Sequence, residues 1–579
     1  MGVPSFFAWL IKRYKKEKFI IDSLPKSPKS LYVDANCLFH PQCFKLLGAI
    51  TTITETALLE SMMIKRIIEF LTFLENHVAP TGYMYIAVDG VAPLAKIGQQ
   101  RKRRYRTIDD TIIKNNLKQQ HNIPTINQWS NTVISPGTEF MEKLHRELLS
   151  YYTNKKPQTK ISYIYSSYHV AGEGEHKILQ HIKHINKKQN DMPIVIYGLD
   201  ADLIFLALAS NIDNIYLLRE VQQLNSNQSN SKETKLKHPI NDVSEEMSYV
   251  NIDIVKQAYN NELYDIIKQH HNAINDNEFL NDFIVICFLL GNDFLPHFPS
   301  LDIKKHGLEY VIDAYVNAYI RTKKHIITIN DGKIFLNKTV LGLMLIELGN
   351  YETEYFNVII PEFERKNNRK VCNSHNEYDI ALWNMENKFN NNICDTIQLG
   401  KGKQDEWKFR YYSHHYSVSE HYDELVNDMS RCYLDGIIWV ATYYFTKCED
   451  WQWQYVYNHV PFVSDVAKYI MSQPNIIKTS LSHKPSMPIM TQLMSILPPQ
   501  CSNLIPKSYR KLVNDINSPI IDMFPTSVKL DTMHKDQLWQ CIPLIPTLDI
   551  ERILLVTKDL ELDKDEKIRN TSEKDISIK

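Results

Sequence analysis

Residues 194–202 read IVIYGLDAD: an apolar run, a glycine, then two aspartates with one residue between them. The run predicts a short buried strand over 194–198, and the acidic residues a helix that starts at Asp202. The same unit recurs along the first half of the chain. A strand over 31–33 ends at Asp34, and one over 83–88 ends at Asp89. A strand over 161–165 leads into GEGEHKI, residues 172–178, which sets Glu173 and Glu175 in the first turn of a helix reaching about residue 185. Helices over 55–77 and 139–151 and a strand over 215–218 complete the alternation. Strands and helices alternating at these lengths predict an α/β fold with a doubly wound, mostly parallel sheet covered on both faces. An amphipathic helix over 2–14, with Phe6, Phe7, Leu10 and Ile11 on its apolar side, is expected to dock on it.

In such sheets ligands sit beyond the carboxyl ends of the strands. Asp34, Asp89 and Asp200 each follow a strand and fall on one rim, with Glu173, Glu175 and Asp202 beginning the next helices. Asp293, in GND after the apolar run 283–290, leans towards the same rim. Any one aspartate reads equally well as a helix cap. Several in one order read as a cluster, and such a cluster needs cations to neutralise it. Ligation by oxygen alone selects Mg²⁺, with Mn²⁺ as substitute. Two such ions about 4 Å apart suit phosphodiester hydrolysis. Residues 96–106, KIGQQRKRRYR, carry six Lys or Arg and no acid a few residues after Asp89. Beside a metal site that run reads as a phosphate pocket. His40, six residues past Asp34, is placed to stack on a base or touch the scissile phosphate.

Composition bounds the rest. A chain of 579 residues, 44% hydrophobic, exceeds one core, so two or more domains are expected. A formal net charge of -1 excludes a uniformly basic nucleic-acid binder and leaves the task to local patches. Nine cysteines with no CxxC pair fit free thiols in a reducing compartment, and no structural zinc is expected. The sequence is read as lacking a secretory leader, a membrane span and a myristoylation signal.

The motifs as a set resemble the XRN family of 5′→3′ exoribonucleases. They are MGVPSFFAWL at 1–10, LYVDANCLFHP at 31–41, IAVDGVAPLAKIGQQRKRRYR at 86–106, GEGEHKI, YGLDADLIFLAL at 197–208 and LLGNDFLPHFPSLDI at 289–303. The resemblance implies that Asp34, Asp89, Glu173, Glu175, Asp200, Asp202 and Asp293 bind the metals. It also implies that Lys96, Gln100, Arg103 and Arg104 select a 5′-monophosphate and that His40 stacks on the first base. Ala171 and the triplet Ala35-Asn36-Cys37 depart from the family pattern without removing a charge.

The stretch 433–465 resembles the second block of the family, and one of Trp439, Trp451 or Trp453 is expected to face His40 as a stacking platform. The domain reading is 1–305 nuclease, with a polar surface loop at 222–237, then 306–557 helical and bracing the active site. Residues 558–579 read as a charged, disordered tail, and the chain as a compact form without the long C-terminal extension. The activity expected is metal-dependent 5′→3′ decay of single-stranded RNA bearing a 5′-monophosphate, releasing nucleoside 5′-monophosphates. Decapping machinery would act upstream, and the chain would be a cytoplasmic monomer with a nuclear location left open. Two other readings are weighed: a structure-specific DNA flap nuclease, and a non-catalytic RNA-binding scaffold.

Overall fold

The computed structural model describes residues 5–50, 55–124, 129–185, 192–221, 238–269, 278–389, 391, 393–473 and 481–578. The expected polar loop at 222–237 and residues 2–4 of the first helix lie outside them.

The first described helix, α1 (Phe6–Arg13), is followed by β1 (Ile20–Ile21) and β2 (Ser30–Asp34). Then come α2 (Ala35–Ala49), α3 (Thr56–Val78), β3 (Tyr83–Ala87), α4 (Leu94–Gln120), α5 (Glu139–Lys155) and β4 (Ser162–Ser166). The unit closes with α6 (Gly174–Ile185), β5 (Ile194–Tyr197), α7 (Asp202–Ala209), β6 (Ile215–Glu220) and β7 (Met247–Asn251). These strands form an eight-stranded sheet in the order β1-β7-β6-β5-β2-β3-β4, with a C-terminal strand Ile576–Ile578 outside β4. The five strands from β6 to β4 run parallel, and the outer ones are antiparallel.

Every residue of β2 is buried, because both its faces are covered. Leu31 and Val33 pack in the layer that holds α3 and α5, whereas Tyr32 packs in the opposite layer with Ile178 of α6 and Leu203 of α7. Connections from β2 to β4 therefore lie on one side of the sheet and those from β4 to β6 on the other. The winding reverses between β2 and β5, and the crevice beyond their carboxyl ends is where such folds bind ligands. α1 docks as expected: Phe6 is fully buried with its ring 4.3 Å from that of Phe205.

After residue 302 the chain is mostly helical, with two small hairpins, Ile327–Asn330 with Lys333–Leu336 and Leu530–Asp531 with Ile542–Pro543. The helix Asp423–Phe445 is buried almost all round from Tyr433 to Phe445 and shares one continuous core with α6 and α7. The tail corrects the expectation of disorder. Asp563 caps the helix Lys564–Arg569, and Ile576–Ile578 pairs with Tyr163–Tyr165 of β4. An edge strand offers unpaired backbone groups, and few apolar residues are needed to dock there. Asp575 adds a hydrogen bond from the Tyr85 hydroxyl at 2.9 Å.

Candidate active site

Asp34 is the last residue of β2, Asp89 lies two past β3, and Asp200 lies three past β5, while Asp202 opens α7. Glu173 and Glu175 flank Gly174 at the start of α6, and Asp293 follows a 3₁₀ turn over Phe288–Leu290. Of the seven, Asp34, Glu173, Glu175, Asp202 and Asp293 are buried, Asp89 is half-buried and Asp200 exposed.

Gly174 explains the GEGE motif physically. Its amide donates to Asp89 Oδ1 at 2.7 Å, and a Cβ there would stand 2.6 Å from Asp34 Oδ1 and 3.2 Å from the Ala87 carbonyl. Only glycine lets the helix start sit against both aspartates. Asn36 Oδ1 accepts from the Asp89 amide at 3.1 Å, and the Cys37 thiol donates to Asp34 Oδ2 at 2.9 Å.

The carboxylates repel one another and are shielded from water. Burial, then the nearby Asp89, drives Asp34 well above the ordinary carboxylate range. Burial and Asp202 do the same to Glu175, and burial with Asp293 raises Asp202 to about 7. Lys96 reverses the trend locally. Its Nζ lies 2.5 Å from Glu173 Oε1 and 2.8 Å from Asp293 Oδ2. Burial alone would raise Asp293, but that ammonium holds it at about 2. Among the described residues, Asp34 Oδ1, Glu175 Oε2 and Asp202 Oδ1 are buried without a hydrogen-bond partner. Buried acceptors of this kind cost free energy unless something binds them. An all-oxygen donor set with orphaned buried oxygens fits hard divalent cations.

The basic stretch is one face of α4. Lys96, Gln100, Arg103 and Arg104 are spaced by four, three and one residues, so they share a stripe about 12 Å long leading away from the carboxylates. Arg103 is exposed, while Arg104 donates to Ser135 Oγ at 2.6 Å. His40 stands at the far end: burial, then Arg104 and Arg103, lower it to about 4, so it is neutral at pH 7. A cavity of about 280 Å³ opens beside this stripe, lined by Gln99, Lys102 and Arg103 of α4, by Asp293 to Pro296, by Tyr455 to Asn458 and by Trp539.

Of the three tryptophans proposed as platforms, Trp439 is not one. It is 2% exposed, its ring is stacked between Tyr443 and Trp453, and its indole N–H donates to the Asp450 carbonyl at 2.8 Å. Trp453 is half-buried and spends one face on Trp439. Trp451 is half-buried at the head of α4, where its carbonyl accepts from the Leu94 amide at 2.8 Å. Trp539, 61% exposed in the cavity wall, escaped the sequence reading because nothing near it in sequence marks a site. So did Tyr443, whose hydroxyl donates to Glu173 Oε2 at 2.9 Å and whose ring stacks on His176. Lys177 was also missed. Buried and lowered by that burial to about 7, it donates to the Val88 and Ser167 carbonyls at 2.7 and 2.9 Å, fixing the strand ends beneath Asp89.

Comparison with known proteins gives matches along the chain. The family described as XRN 5'-3' exonuclease N-terminus matches residues 1–221, and the one described as Xrn1 helical domain matches 273–389 and 358–578. The chain belongs to the XRN family. It is 28% identical to 5'-3' exoribonuclease 1 of Saccharomyces cerevisiae over 100% of this chain and 44% of the relative. It is 29% identical to 5'-3' exoribonuclease 1 of Homo sapiens over 98% of this chain and 35% of the relative. With 5'-3' exoribonuclease 2 of Kluyveromyces lactis it shares 26% over 99% and 77%. The chain thus spans less than half the length of the first two relatives. Among the described residues no helix is long and apolar enough to cross a membrane.

Proposed function

We propose that this chain is a 5′→3′ exoribonuclease acting on single-stranded RNA with a 5′-monophosphate and releasing nucleoside 5′-monophosphates. The observation that carries the reading is the juxtaposition of a carboxylate cluster holding orphaned buried oxygens with a stripe of phosphate-binding side chains that starts inside it. Relatives named as 5'-3' exoribonucleases along the whole chain support it.

Asp34, Asp89, Glu173, Glu175, Asp200, Asp202 and Asp293 would hold two Mg²⁺ ions. When bound, the ions supply a water activated for attack and positive charge for the departing oxygen. The chain's own residues position the strand. Lys96 at present neutralises Glu173 and Asp293; with cations sharing that task, its charge is available to a substrate phosphate. Arg103 is exposed and free to take a terminal phosphate in a forked contact, and Gln100 offers an amide donor one turn away. Arg104 is oriented by Ser135, and neutral His40 presents a ring for stacking on the first base. Holding the 5′ end on this stripe puts the next phosphodiester over the carboxylates, which sets the direction of decay. Trp451, Trp453 and Trp539 remain as stacking candidates for the following bases. A reaction that removes a cap and leaves a 5′-monophosphate would supply the substrate.

The test is cleavage of 3′-labelled single-stranded RNA carrying a 5′-monophosphate, 5′-triphosphate or 5′-hydroxyl, with Mg²⁺ or EDTA. The expected result is Mg²⁺-dependent loss of the monophosphate species, abolished by Asp202→Ala, with the end preference blunted by Arg103→Ala. Equal rates on all three ends would overturn the pocket assignment, and no cleavage of any RNA would overturn the activity.

A further inference from the structure

Away from the carboxylate cluster, three segments distant in sequence bring imidazoles and carboxylates together. His145 and Glu142 are one turn apart on α5, His169 is in the loop after β4, and Glu573 comes from the C-terminal tail. Donor atoms of His145, His169 and Glu573 all lie within 4.8 Å of one another. Both histidines are buried, and their ring centroids are 5.1 Å apart at 71°. His169 Nε2 is 3.4 Å from Glu142 Oε2. Ligands bound at about 2.0 Å to a tetrahedral ion stand about 3.3 Å apart, so the donors of His145, His169 and Glu573 need only small side-chain shifts to share a cation.

The outer contacts hold the two imidazoles in place. His169 Nδ1–H donates to the Thr571 carbonyl at 2.7 Å, which fixes the tautomer and leaves Nε2 with its lone pair facing the cluster. His145 Nδ1 is 3.3 Å from the Tyr165 hydroxyl, which accommodates either a lone pair or a proton on that nitrogen. Arg146 and Tyr168 each donate to Glu142, at 2.7 and 2.6 Å, and orient its carboxylate. The ordinary competing account is an imidazolium at His169 paired with Glu142 and Glu573.

We propose that His145, His169 and Glu573 bind one Zn²⁺ that clips the C-terminal tail onto α5 and the loop leading to Glu173, with water completing its coordination. This departs from the expectation of no structural zinc, which rested on cysteines alone; mixed imidazole and carboxylate donors suit zinc equally well. The tail is already positioned, since the Glu573 amide donates to the His169 carbonyl at 3.1 Å. A cation would add a bond across chain segments more than 400 residues apart, as the His169–Thr571 contact already does at a separation of 402.

The full chain is stripped with EDTA, saturated with Mg²⁺ to fill the carboxylate centre, and titrated with Zn²⁺ by calorimetry. Wild type and Asp202→Asn should each take up one Zn²⁺ with equal affinity. Glu573→Gln and His145→Gln should bind it roughly tenfold or more weakly. Glu573 is exposed, so its variant tests the ligand without disturbing the core. Zinc should also slow hydrogen exchange of amides 571–578 in wild type and not in Glu573→Gln. Absence of zinc uptake, uptake unchanged in both ligand variants, or uptake lost in Asp202→Asn would overturn the proposal.

Discussion

Lys96→Met isolates the electrostatics of the carboxylate cluster. The substitution keeps an unbranched apolar stem beside Phe294, over whose ring the ammonium stands at 5.7 Å, and removes only the charge. Two side chains, 5% and 4% exposed, lose their cation at once. The depression of Asp293 from its ordinary value of 3.8 to about 2 survives after burial has acted against it. A net shift of that size represents roughly 2 kcal/mol, and Lys96 is the largest of the charges that produce it. Breaking one partner of a buried ion pair typically costs about 3–5 kcal/mol. In EDTA at pH 8 the variant should thus melt a few degrees below wild type, at about 1 °C per kcal/mol for a chain of this length. The deficit should shrink at pH 5, where carboxylates left unpaired in the interior take up protons. Mg²⁺ should also raise the Tm of the variant by more than it raises that of wild type, because the cation replaces the missing charge as well as binding the orphaned oxygens. Thermal melts of both proteins at two pH values, with and without Mg²⁺, provide the assay. An unchanged Tm in EDTA at pH 8, or equal Mg²⁺ increments, would refute the assignment of Lys96 as the internal counter-ion.

The metal-free protein should lose stability as pH rises. Asp202 has a folded value of about 7 against an ordinary 3.8, so the folded state keeps a proton that the unfolded chain releases. The resulting stability is full below about pH 4 and lost as pH climbs through 7, up to about 4 kcal/mol. In EDTA at pH 8, Asp202→Asn should therefore melt above wild type, and a lower Tm would contradict the sign. Gly174→Ala should abolish Mg²⁺-dependent cleavage while the fold persists by circular dichroism, since the new methyl meets Asp34 Oδ1 at 2.6 Å; retained activity would show the close approach to be dispensable. Trp439→Ala should cost about 3–5 kcal/mol as a core truncation, whereas Trp451→Ala should weaken RNA binding with little change in Tm; the opposite pattern would reverse the two assignments. Ending the chain after Asn570 removes the strand on β4 and should lower the Tm and expose the β4 amides to hydrogen exchange, an effect absent if the tail is unpaired.

The alternation of elements and the position of acidic residues at strand ends and helix starts were legible because both are local signals. Leu31 to Asp34 and Ile194 to Tyr197 are unbroken apolar or small-residue runs closed by an acid or a glycine turn, and a run of that kind is buried wherever it lies in the sheet. The α4 stripe was legible for the same reason, since spacings of three and four residues define a helix face whatever it meets. Which group meets which was not legible. Tyr443 reaches Glu173 across 270 residues, and Trp439 was a candidate platform until packing covered both its faces. Lys96 was read as a phosphate ligand from its place in a basic run, yet the fold points it inward to two carboxylates. The tail looked unable to fold because its own residues cannot bury enough surface, and they do not have to: β4 supplies the partner strand and Tyr85 the hydrogen bond. Periodicity and residue type report how deeply a position will be buried, whereas the charges and faces it will meet depend on contacts closed only when the whole chain has folded.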